Sequence, residues 1–181
     1  MRSTKEQVKT AFAALRESSG YTSVMATPRV EKVVVSSGTG RIADKRKLEV
    51  IIDRLARITG QRPSPRPAKQ AIAGFKTRKG QIVGYQVTLR GSRMYDFLDK
   101  FLNIALPRTR DFRGVSTGAV DAVGNLTIGV PEHTIFPETA DEEQRDIFGL
   151  SVTIVSSART RDEALPFFGH VGVPFKRGER T

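Results

Sequence analysis

"VGYQVTLR", residues 83–90, is the stretch from which the fold reads outward. Val83, Tyr85, Val87 and Leu89 recur at every second position, and Gly84, Gln86, Thr88 and Arg90 fill the places between. Successive side chains of a strand point to opposite faces, so this alternation predicts a strand with one apolar and one polar face. One-sided strands of this kind belong to antiparallel sheets, with one face on the core and the other solvated. The polar face carries an amide, a hydroxyl and a guanidinium, groups suited to phosphates, ribose hydroxyls and base edges.

The segments on either side supply partners for this strand. Val8, Ala11, Phe12 and Leu15 recur at helical spacing and predict an N-terminal helix over 3–19, stopped by Gly20. "RVEKVVVSSGTG" reads as a β-branched strand over 29–37, ended by Gly38 and Gly40. Leu48, Ile51, Ile52, Leu55 and Ile58 form an apolar helix stripe closed by Gly60. Three alternate prolines in "QRPSPRPAKQ" remove backbone donors, which confines a strand over 65–72 to a sheet edge. Met94, Phe97, Leu98, Phe101, Leu102 and Ala105 predict a third helix ending at Pro107.

Two further strands follow from Leu126, Ile128 and Val130 and from Leu150, Val152 and Ile154, with an acidic loop over 131–148 between them. A last helix and a basic tail occupy 161–181. The order predicts a single domain over 1–181 of the α+β class. Its mostly antiparallel sheet of about five strands has helices packed on one face and the other face open for RNA.

Charge points the same way. The 181 residues carry 30 Lys+Arg against 19 Asp+Glu, a net +11 with a pI near 10.4, the electrostatic footprint of a nucleic-acid partner or an anionic surface. It is segregated along the chain. Residues 61–113 hold 12 basic and 3 acidic groups, whereas 114–155 hold 1 basic and 7 acidic. The acidic run at Asp141, Glu142, Glu143 and Asp146 suits either a basic protein or plain solvent.

Composition excludes several chemistries. With no cysteine there is no disulfide, thiolate nucleophile or zinc–thiolate site, and two isolated histidines make no metal cluster, so neither metal nor cofactor is expected. No run approaches the roughly 18 apolar residues of a membrane span, and the N-terminus lacks a secretory apolar region, so a protein without a membrane partner is expected. "GTGR" at 38–41 lacks the third glycine of a dinucleotide fingerprint and the Gly-Lys-Ser/Thr of a P-loop, and reads as a strand-to-helix turn. His133 lies near Glu132 and Asp121 without a nucleophile elbow, so no catalytic residue is assigned. By alternation Tyr85 falls on the apolar side, and most phenylalanines sit at core spacing, so shape and phosphate contacts outrank base stacking.

"AGFKTRKGQIVG", residues 73–84, sets Lys76, Arg78 and Lys79 between Gly74 and Gly80 and predicts a basic hairpin. It joins "YTSVMATPRVEKVVV", "ITGQRP", "FLNIALPRTRDFRG" and "GNLTIGVPEHTIFPE" in an order that closely resembles bacterial-type members of the L-five family of ribosomal proteins, from about Tyr21 to Ile154. The family's antiparallel sheet with helices on one side agrees with the reading above.

The resemblance implies a structural constituent of the large ribosomal subunit, cytoplasmic or organellar. It would bind 5S rRNA in the central protuberance and meet 23S rRNA, peptidyl-site tRNA, neighbouring large-subunit proteins and a small-subunit head protein. Carried over by position, it implies 5S rRNA contacts at Ser36, Gln61, Lys69, Gln86, Thr88 and Arg90, and tRNA contacts at Lys76, Thr77, Arg78 and Lys79. Ser36-Ser37-Gly38 replaces the family's usual Asn-Met-Gly, which trades a bidentate amide for a shorter hydroxyl. The rival reading is a generic RNA chaperone without a fixed ribosomal site.

Overall fold

A computed structural model describes residues 3–42, 44–75, 77–140 and 147–176. Five strands, β1 (Val30–Gly38), β2 (Ser64–Pro67), β3 (Ile82–Leu89), β4 (Leu126–Val130) and β5 (Leu150–Ser156), form one antiparallel sheet in the order β2-β3-β1-β5-β4. Four helices accompany it: α1 (Thr4–Ser19), α2 (Lys45–Thr59), α3 (Gly91–Lys100) and α4 (Arg161–Val171). The class is α+β, as the strand and helix patterns predict.

The chain groups into two compact units, one of residues 1–33, 90–128 and 153–181, the other of 34–89 and 129–152. In the first, α1 packs against α3 and α4. His170 of α4 ties α4 to α1, its Nε2 lying 3.0 Å from the Gln7 carbonyl and 3.2 Å from Thr10 Oγ1. The helix of α3 runs on through a π turn at Phe101–Ala105 and a tight turn at Leu106–Arg108, so Pro107 sits in the last turn and stops the helix there. Ahead of β4, the Asp121 carboxylate accepts from the backbone N–H of Val123 (3.1 Å) and Asn125 (2.7 Å) and from the Asn125 amide (3.0 Å). Desolvation pushes this carboxyl upward, but those hydrogen bonds to its charged form prevail and hold it below its ordinary value.

The second unit holds the strand that decides the fold. Tyr85, Val87 and Leu89 of β3 are buried, while Gln86 and Thr88 are half-buried on the opposite side. On β1, Val35 and Ser37 are buried and Val34 and Ser36 half-buried, and on β5 Leu150 and Val152 are buried with Ser151 between them. Helix α2 packs beside β3 with Ile51, Leu55 and Ile58 buried, and Asp44 caps its start by accepting from the Arg46 N–H at 2.9 Å. Gly60 ends it in the left-handed region at φ +67°, as its position predicts.

The edge strand differs in extent from the sequence expectation. Pairing with β3 covers only Ser64–Pro67 rather than 65–72, and its register shifts between Arg66 and Pro67. Proline offers no N–H to continue a ladder. Ala68 then donates to the Gln81 carbonyl at 2.8 Å and receives Gly80 at 3.0 Å, after which the chain leaves the sheet.

Candidate nucleic-acid interface

The polar positions of β1, β2, β3 and β5 in the second unit share the less covered side of their strands. Opposed residues of an antiparallel pair point to the same face. The register sets Ser64 opposite Gln86 and Arg66 opposite Gly84. Thr88 continues the row toward the strand end. On β1, Ser36 Oγ lies 2.9 Å from Ser151 Oγ of β5, whereas Ser37 turns to the buried side and donates to the Gly149 carbonyl at 2.8 Å. Thus of the two serines that replace Asn-Met, only Ser36 reaches the polar side. It lines a shallow cleft of 530 Å³ with Gly129, Pro131, Gly149 and Ser151.

The remaining residues expected at RNA lie around this face or apart from it. Gln61 follows the αL cap of α2, its side chain exposed and its backbone held through Thr59 Oγ1. Lys69 is exposed in the loop after β2. Arg90 belongs to the first unit, where it is exposed in extended backbone (φ −141°, ψ 164°) immediately before α3. Sequence alternation puts Arg90 on β3 itself, but the strand ends one residue earlier.

The finger is built of nested turns. A tight turn at Ala73–Phe75 is closed by a bridge between Ile72 and Thr77, whose N–H donates to the Ile72 carbonyl at 3.3 Å. Thr77 Oγ1 adds two contacts of 3.4 Å to the Ile72 backbone, so this hydroxyl is engaged in holding the loop. Gln81 then closes a second turn on Arg78, with Gly80 at φ +86°, a conformation that suits glycine. Arg78 and Lys79 are exposed, while Lys76 lies outside the described residues.

His133 is a core residue. It is fully buried, stacks on Phe148 with ring centroids 4.1 Å apart, and accepts the Phe148 N–H at its Nδ1 at 3.3 Å. The acidic run at Asp141, Glu142, Glu143 and Asp146 and the tail beyond Lys176 lie outside the described residues. No described helix is long and apolar enough to cross a membrane, and no group of three potential metal ligands occurs among the described residues.

Ser64, Arg66 and Ser151 join the face without having been singled out from sequence. The alternation of "GLSVTIVSS" does put Ser151 opposite the apolar side. What it lacks is the neighbour: nothing local says that β5 lies against β1.

Known proteins match this chain along most of its length. A family model described as Ribosomal protein L5 matches residues 23–78, and the model for the C-terminus of the same ribosomal family matches 82–175. The chain is 46% identical over 174 residues to large ribosomal subunit protein uL5 of Heliobacterium modesticaldum, spanning 95% of this chain and 97% of that protein. It is 48% identical over 164 residues to uL5 of Rubrobacter xylanophilus, spanning 90% and 91%. With uL5 of Halothermothrix orenii it shares 47% over 158 residues, spanning 87% and 88%.

Proposed function

The chain belongs to the ribosomal protein L5 family, and from that premise we propose that it holds 5S rRNA on the polar side of its second unit and reaches peptidyl-site tRNA with the finger. It is a non-enzymatic protein of the large ribosomal subunit, cytoplasmic with the ribosome. The observation that carries the finer reading is the polar row of Ser36, Gln86 and Thr88, half-buried on strands whose other side is core. Held by a sheet, these groups meet RNA without first losing much side-chain freedom, which favours recognition of a fixed RNA shape.

In this mechanism Gln86 and Thr88 hydrogen-bond ribose and base edges, and Ser36 exchanges its Ser151 partner for RNA. Lys69 and Gln61 bind at the periphery of this face, and Arg90, in the first unit, supplies a further cation to the RNA; such cations neutralise phosphates and release counterions. Arg78 and Lys79, together with Lys76 and Thr77, form the tRNA-facing set. 23S rRNA, neighbouring large-subunit proteins and a small-subunit head protein complete the proposed surroundings, with the acidic run meeting a basic protein surface.

The test separates the two RNA contacts. Thr88→Ala with Arg90→Ala should weaken 5S rRNA binding and lower its salt slope by about one unit for the lost phosphate contact. Arg78→Ala with Lys79→Ala should spare 5S binding and weaken tRNA binding. Unchanged 5S affinity and salt slope in the first variant would remove the sheet assignment, and loss of 5S binding in the second would move the finger into the primary site.

A further inference from the structure

The finger carries an apolar feature that phosphate contact leaves unexplained. Phe75 is 73% exposed at its tip and Ile72 is 47% exposed beside it. Both line a groove of 750 Å³, with Val83 and Thr77 in its wall and Arg41 and Lys69 among its lining side chains. An exposed aromatic ring costs free energy in water unless something covers it. Among the described residues of the lining none is acidic, and Arg78 and Lys79 follow in the same exposed loop.

We propose that Phe75 is a stacking platform for an unpaired base of the RNA strand that the finger meets, with Arg41 bound to a phosphate flanking that base. The inference rests on the reading that the finger faces RNA, and adds that it holds RNA by stacking as well as by charge. Three observations select this occupant. A flat apolar ring with cations beside it matches a nucleobase attached to a phosphodiester, because the base supplies a π face and the backbone supplies the anions. Arg41 and Lys69 of the lining together with Arg78 and Lys79 of the same loop carry four positive charges, more than the roughly two negative charges of a mononucleotide such as AMP, which favours a strand over a free nucleotide. A protein partner would need an apolar knob with an acidic rim, whereas a strand offers both features at every residue.

The chain contains no tryptophan, so Phe75→Trp introduces a single reporter at the platform. This variant would be titrated separately with 5S rRNA, deacylated tRNA, AMP and heparin, a polyanion without bases. Stacking predicts strong quenching by one of the RNAs and little by heparin, with AMP quenching only far above the RNA concentrations. Phe75→Ala should lose about 5- to 150-fold in affinity for the quenching RNA with its salt slope unchanged, and Phe75→Trp should restore the affinity.

Quenching by 5S rRNA alone would support stacking and contradict the tRNA assignment of the finger. RNA binding without quenching, or an Ala variant of undiminished affinity, would overturn the platform while leaving RNA binding itself intact. An emission change that follows protein concentration without RNA would assign the groove to a second copy of the chain and also overturn it. Because Phe75 is exposed, the Ala variant should melt with the parent, which keeps each outcome interpretable.

Discussion

Gly84 shows what a residue's role owes to its surroundings. Alternation puts it on the polar side of β3, yet it is buried, and a Cβ added there would meet the Ser37 carbonyl oxygen of β1 at 2.9 Å. Backbone stands in the way, so relief requires the two strands to move apart. Gly84→Ala should therefore cost about 1–3 kcal/mol, seen as a lower urea midpoint at unchanged slope, and an unaltered midpoint would contradict the close approach. Its period in the sequence predicts the face, but the need for glycine depends on which strand lies alongside. Phe75 teaches the converse. Core spacing accounts for most phenylalanines here, and the same expectation fails for one at a loop tip, where neighbouring positions offer no apolar surface to cover it.

At the scale of elements, apolar periodicity was a sound guide to helices and strands, while termini depended on tertiary partners. Ser3 and Glu6 have the spacing of a local capping box, but the Ser3 side chain makes no cap bond. Instead Asp99 of α3 accepts from the Thr4 N–H at 2.6 Å, the Thr4 hydroxyl and the Ser3 hydroxyl at 3.0 Å. A carboxylate distant in sequence thus satisfies the start of α1. Asp99→Ala should destabilise the protein by about 1–2 kcal/mol, measurable by denaturant titration, and a stability equal to the parent's would mean that solvent satisfies the helix end as well. The edge strand has a different lesson. Its prolines correctly mark it as an edge, but they also limit its pairing, and the residues expected to extend it instead shape the groove beneath the finger.

For the whole molecule, the class was legible because three of the five strands alternate in sequence, β1 is rich in β-branched residues, β2 is marked by its prolines, and the helices bear apolar stripes. Strand order was not, since β5 beside β1 is a pairing across more than a hundred residues that no local pattern encodes. The same gap explains the candidate site: Gln86 and Thr88 follow from one strand's alternation, whereas Ser151 and Arg66 enter only through their neighbours. Net charge of +11 makes affinity for RNA in general unsurprising, so affinity alone decides little. What distinguishes the proposed role is selectivity for one folded RNA by a preformed polar face. The decisive experiment titrates the protein with 5S rRNA and with a control RNA of equal length across a salt series. Preference for 5S rRNA should persist as salt rises and the nonspecific charge contribution fades. Equal affinities with equal salt slopes would rule out that selectivity and leave a generic RNA chaperone.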